Sequence, residues 1–190
     1  LAHPGTVGKP LPNVRLRILG EDGKDVARGT PGDLYIRLTT GLDFTYHGDD
    51  EKRRKAEMDG LISVGDVAYE DADGFIYLCD RRNNMVISGG VNIYPAEIEA
   101  ELLKVPGIAD GAVFGVPDEE FGEALCAVVQ PYPEARIDAA FVRAELARHL
   151  ARYKIPKIID FQPTLPREDS GKIFKRKLRD PYWEKAGRTI

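Results

Sequence analysis

Long apolar runs are missing from these 190 residues: none approaches the roughly 18 residues a membrane-crossing helix needs. The first residues, Leu1-Ala2-His3-Pro4-Gly5, offer neither a basic head nor a greasy stretch, so nothing supports secretion. Cysteine is scarce. Cys79 and Cys126 are too few and too isolated for a disulfide framework or a thiolate metal cage, and each lies in an apolar stretch where a small buried thiol fits. A reducing cytoplasm is the expected location. His3, His47 and His149 lack metal-ligand spacing, and Asp71-Ala72-Asp73-Gly74 lacks the ligand pattern of a calcium loop, so no metal site is expected. Strong net charge is also missing: −4 argues against a dedicated nucleic-acid binder. There is no internal repeat, no low-complexity segment and no nucleophile elbow.

What is present is a soluble globular composition, 43% apolar and 31% charged, long enough for one large domain or two small ones. Val14 to Leu19 alternates apolar and basic residues as a half-buried strand does, and Leu34, Ile36 and Leu38 share one face of a second. Asp49 or Asp50 can cap a short helix running to Met58, where Asp59-Gly60 ends it. Leu61 to Val64 and Phe75 to Leu78 read as strands joined through the Asp71–Gly74 turn. Beyond residue 81 the rhythm becomes mixed. Pro95 opens a helix with Ile98, Leu102 and Val105 on one face, stopped by Pro106-Gly107. Asp110 to Val116 and Glu123 to Gln130 are strands, the second apolar enough to be covered on both faces. Asp138 caps a helix with Phe141, Val142, Leu146 and Leu150 inward, and Ile155 to Phe161 supplies a last strand. The fold class expected is α+β: a small β-rich, barrel-like unit over residues 1–81, followed by a mobile mixed α/β small domain over 82–190.

Four stretches can carry chemistry. Gly65-Asp66 ends a strand, and one carboxylate can accept from both hydroxyls of a ribose, although Asp-Gly pairs are more often plain turns. Arg81-Arg82-Asn83-Asn84 breaks two apolar runs; Arg81 can hold an anion, and the asparagines tolerate unusual backbone angles. Ser88-Gly89-Gly90 lets backbone approach a ligand closely, yet Gly-Gly is more often a tight turn. Lys172, on a Gly-supported loop, can reach between a carboxylate and a phosphate and offset their charge. The competing reading of that last stretch is a solvated or nucleic-acid-binding tail, since five of the eight residues from Lys172 to Arg179 are basic.

These stretches, in this order, resemble the adenylate-forming superfamily of acyl-CoA synthetases, luciferases and peptide-synthetase adenylation domains. Tyr77 to Pro95 resembles its interdomain linker, Leu165 to Lys172 its Leu-Pro-Arg-Thr-x-x-Gly-Lys signature, and Gly111 to Asp118 with Gly122-Glu123 its small domain. The resemblance implies that Asp66 and Arg81 hold the ATP ribose and that Lys172 contacts ATP and serves adenylation. It further implies that Gly89 and Gly90 line the channel for coenzyme A and that Arg82, Asn83 and Asn84 form the hinge. The sequence departs from the pattern at Val64 and Glu168, where Thr is usual, and at Val91, where Glu is common. ATP, Mg²⁺ and coenzyme A are the implied cofactors, with a small carboxylic acid as substrate. The Gly48 to Arg53 stretch looks more like fatty or aromatic acyl-CoA ligases than peptide-synthetase modules. The family's phosphate loop and acyl pocket do not occur in these residues, so the chain is expected to need an N-terminal large domain and to be inactive alone. The pattern around Lys172 also resembles sites modified by lysine acetyltransferases. Rival readings are a carrier-protein-loading adenylation domain and a non-enzymatic regulatory or nucleic-acid-binding module.

Overall fold

The computed structural model describes residues 2–40 and 49–187. His47, and Gly48 at the head of the ligase-like stretch, lie outside the described residues. The chain divides into two compact units, Leu1–Asn83 and Asn84–Ile190.

The first unit is an antiparallel half-barrel sheet of β1 (Val14–Leu19), β2 (Gly32–Leu38), β3 (Glu57–Met58), β4 (Leu61–Glu70) and β5 (Ile76–Arg81), with β4 pairing β2, β3 and β5. Alternation in β1 and β2 puts Ile18 and Leu34 into a core with Ala68 and Ile76. Leu38, expected on the same face as Leu34, is half exposed at the strand's end. Helix α1 (Asp50–Lys55) is capped as expected, the Asp49 carboxylate accepting from the Lys52 N–H at 2.9 Å. It stops three residues before Met58. Asp59-Gly60 is not its end but a hairpin turn: both residues have positive φ, 51° and 73°, the turn geometry that suits right-twisted strands, so Met58 pairs Leu61 across it.

The second unit is a sheet covered on both faces. β8 (Ile108–Asp118) and β9 (Gly122–Pro131) form a long antiparallel pair; β10 (Ile158–Phe161) adds parallel to β9, and the hairpin of β6 (Val86–Ser88) and β7 (Val91–Ile93) joins at the start of β9. Side chains along β9 alternate between two cores. Leu125, Ala127 and Val129 meet α2 (Pro95–Leu102) and α3 (Ala139–Leu146) through Ile98, Leu102, Val142 and Leu146. Ala124, Cys126 and Val128 meet Leu165 and Leu178. Each fully buried Val, Leu or Ile among them contributes about 1.5–3 kcal/mol, which is why an uninterrupted apolar strand needs a helix on each side. Asp138 caps α3 by accepting from the Phe141 N–H at 2.8 Å, but Phe141 itself points outward, 38% exposed. The last strand is shorter than expected: it pairs with β9 only from Ile158 to Phe161, and Ile155, Pro156 and Lys157 lie between it and a 3₁₀ turn at Arg152–Lys154.

The basic stretch after Lys172 contains α4 (Lys175–Lys185), which the sequence reading missed. No side chain caps its start and Pro181 interrupts it, so the usual helix signals are absent. Its anchor is tertiary: Leu178 is buried, the Trp183 indole donates to the Gly115 carbonyl at 3.0 Å, and the Tyr182 hydroxyl donates to Asp160.

Candidate functional site

Asp66 and Arg81 stand opposite each other on β4 and β5. Three residues of β4, Val64-Gly65-Asp66, lie between the pairs Asp33–Val67 and Tyr35–Ser63, where β2 has only Leu34. The bulge bends the strand and re-aims its side chains, and Gly65, at φ 81°, supplies the left-handed angle it requires. The Arg81 Nε lies 3.7 Å from Asp66 Oδ1, too long for a hydrogen bond, with the arginine side chain 72% exposed. The pair therefore presents a loosely held guanidinium beside a carboxylate with acceptor capacity to spare.

After β5 the chain takes a 3₁₀ turn, Arg82–Asn84. Arg82 is bound differently from Arg81: its guanidinium donates to both oxygens of Asp33, at 3.0 and 2.9 Å, and lies 3.4 Å from Glu21. Both bonds to Asp33 come from Nη1 and tie Arg82 to the first unit, which ends at Asn83.

In the second unit Gly89 and Gly90 form the two-residue turn between β6 and β7, both with positive φ, 56° and 78°. An added Cβ on Gly89 would come within 3.1 Å of the Phe121 ring. Beside this turn lies a cavity of about 930 Å³ that includes Ser88, Gly89, Phe121, Arg152, Tyr153 and Lys157 in its lining. The sequence reading named the glycines but not this cavity, whose walls come from stretches over sixty residues apart. Lys157 is paired with Asp118 at 2.5 Å, and that lysine, with the N–H of Phe121, holds the Asp118 carboxyl below its usual pKa.

Lys172 sits on a hairpin. Arg167 bridges to Ile173, the Glu168 N–H donates to the Lys172 carbonyl at 2.8 Å, and the Arg167 guanidinium donates to the Gly171 carbonyl at 2.9 Å and to Asp110 at 2.5 Å. Gly171 turns the tip at φ 85°. The backbone is thus fixed while the Lys172 side chain is exposed, and among the described residues no carboxylate pairs with its ammonium.

Two groupings were not visible in the sequence. His3 stacks on Phe75, ring centroids 3.8 Å apart, with Nδ1 3.4 Å from Asp71 and Nε2 3.9 Å from Asp73. The spacing of His3 from this turn gave no signal, because 68 residues separate them. In the second unit, burial raises the Cys126 thiol to about 12, so the cysteine stays protonated and inert, and burial together with Asp160 raises its neighbour Tyr182.

An α+β chain with a half-barrel sheet ahead of a two-faced sheet, with this order of exposed groups, defines a class of proteins, and known members can be compared with it. The AMP-binding enzyme C-terminal domain family matches residues 97–172. Sulfoacetate–CoA ligase from Cupriavidus necator is 39% identical over 174 residues, and the fatty acid–[acyl-carrier-protein] ligase ScoC from Streptomyces coeruleorubidus is 34% identical over 183; the alignments cover 92% and 96% of this chain. The crystal structure of ATP-bound MatB from Rhodopseudomonas palustris superposes with a TM-score of 0.83 at 36% identity, covering 94% of this chain and 36% of that one. The chain belongs to the adenylate-forming superfamily and corresponds to its C-terminal part. It spans about a third of the length of these curated relatives, 34% and 35%.

Proposed function

We propose that this chain supplies the ribose contacts, the adenylation lysine, the hinge and the thiol-channel turn of an AMP-forming acid–CoA ligase. In the first half-reaction a carboxylate oxygen attacks the α-phosphorus of ATP and pyrophosphate leaves, giving an acyl-adenylate. In the second, the thiol of coenzyme A adds to the acyl carbonyl, loses its proton, and AMP leaves. Asp66 accepts from the ribose hydroxyls, with Arg81 beside it. Lys172 offsets the charge of carboxylate and phosphate as they approach. Gly89 and Gly90 let the pantetheine arm pass close to backbone, and Arg152 and Lys157 in the neighbouring cavity suit the phosphates of coenzyme A. The observation that carries the reading is the Asp66–Arg81 register pair: a carboxylate and an exposed guanidinium, fifteen residues apart in the chain, side by side on adjacent strands.

Mg²⁺ would arrive with ATP. A Mg²⁺ ion held on nucleotide phosphates takes only one or two protein carboxylates, and none of the described residues is assigned that role here. The phosphate loop and the acyl pocket are assigned to a large domain outside these residues. The 190-residue protein by itself should therefore show only background ATP–pyrophosphate exchange with any carboxylic acid. Clear acid-dependent exchange by the pure protein would overturn that assignment.

The similarity to a ligase that loads a carrier protein favours one second reading, transfer to a carrier-bound pantetheine rather than to coenzyme A. Modification of Lys172 belongs to the proposal as well: acetylation would remove the charge while the exposed hairpin stays intact. Incubation with a lysine acetyltransferase and acetyl-CoA, followed by mass spectrometry, should find Lys172 modified; acetylation confined to Lys175 or Lys177 rejects the idea.

A further inference from the structure

We infer that Glu123 is a positioning residue for the Gly89–Gly90 turn, holding it on the sheet and linking it to α4; its value for thioester formation rests on the function proposed above. The turn could be held by its own hairpin alone, but β6 and β7 pair over only three residues each. A hairpin so short is marginal without outside support. That support comes from the start of β9, one contact per residue: the Gly89 N–H donates to the Phe121 carbonyl at 2.9 Å, Ser88 pairs Gly122, and the Ile87 N–H donates to Glu123 Oε1 at 3.3 Å. The first two are backbone contacts. The third depends on a side chain, and it is the one a substitution can remove.

The carboxylate is seated by design of its surroundings. A Cβ on Gly115 would lie 2.0 Å from Glu123 Oε2, so the acid occupies space that exists because β8 carries a glycine there. Half-burial raises its pKa, whereas the Ile87 N–H and the Arg179 guanidinium favour the charged form. Arg179 comes from α4, where its Nε is buried without a hydrogen-bond partner, and Trp183 of the same helix donates to the Gly115 carbonyl. One continuous set of contacts therefore runs from α4 through Gly115 and Glu123 to the strand that carries the turn. α4 begins three residues after Lys172, so the element following the adenylation lysine and the turn assigned to the thiol share a support within one unit.

The test is amide hydrogen exchange of the 190-residue protein, read by NMR. In Glu123→Ala, Ile87 and Gly89 should exchange about tenfold faster, as expected for losing a hydrogen bond to a charged group, while Val113 and Leu125 keep their protection. Glu123→Gln, which keeps an acceptor oxygen of the same reach, should restore slow exchange at Ile87. Gly115→Ala, whose Cβ displaces the carboxylate and also lies 3.1 Å from Val86 Cγ1, should speed exchange at Ile87 at least as much as Glu123→Ala. Unchanged exchange at Ile87 and Gly89 in Glu123→Ala overturns the inference, and so does a uniform rise along β8 and β9. Because exchange reports the turn and not catalysis, a failed ligase assignment would leave these results standing.

Discussion

Replacing Lys172 with alanine, in an enzyme that carries this chain as its C-terminal part, is expected to slow acyl-adenylate formation by about 10²- to 10³-fold, the usual cost of removing one preorganised charge or donor from a transition state. The ammonium is exposed and no carboxylate among the described residues competes for it. The hairpin beneath it is held by backbone bonds and by Arg167, none of which the substitution touches. The variant should therefore fold and melt like the parent. Thioester formation from supplied acyl-adenylate should be unchanged, because the phosphate charge that Lys172 offsets has already been dealt with. The measurements are pyrophosphate exchange for the first half-reaction and acyl-CoA release for the second. Equal losses in both would remove Lys172 from the adenylation step.

The second large effect is expected at Asn83, through the backbone. Proline there disfavours helical angles at the residue before it, and that residue, Arg82, opens the 3₁₀ turn Arg82–Asn84. Forcing a residue into a disfavoured backbone region costs on the order of 1–3 kcal/mol, or about 5- to 150-fold in an equilibrium. Arg82 is also gripped by Asp33, so a change in its backbone angles works against those two bonds. If the stretch is the hinge, Asn83→Pro should shift the balance between two arrangements of the chain and slow one half-reaction far more than the other. Similar rates for both half-reactions, each near the parent value, would place the hinge elsewhere.

Local pattern made much of this legible. Alternation marked β1 and β2, the continuous apolar run of β9 announced burial on both faces, and Pro95 and Asp138 marked the starts of α2 and α3. Motif order likewise singled out Asp66, Arg81, Gly89, Gly90 and Lys172 as candidates, since residue type and spacing are properties of the chain; their roles belong to the function proposed above. Two errors came from signals with two meanings. Asp59-Gly60 serves as well for a hairpin as for a helix end, and the pairing of Met58 with Leu61 selects the first. A basic run with no cap and an internal proline reads as a tail, until Leu178 finds a hydrophobic cluster to enter.

By itself, then, the amino-acid order determined the α+β class, the identity of the exposed chemical groups and their sequence along the chain, because these depend on periodicity and on neighbours a few residues apart. Tertiary structure alone decided what lies between elements distant in the chain: the bulge that sets Asp66 beside Arg81, the cavity at Gly89, the space at Gly115 that admits Glu123, and the helix that closes the second face of the sheet. Those features are contacts between surfaces, and a surface exists only once the strands that form it have paired.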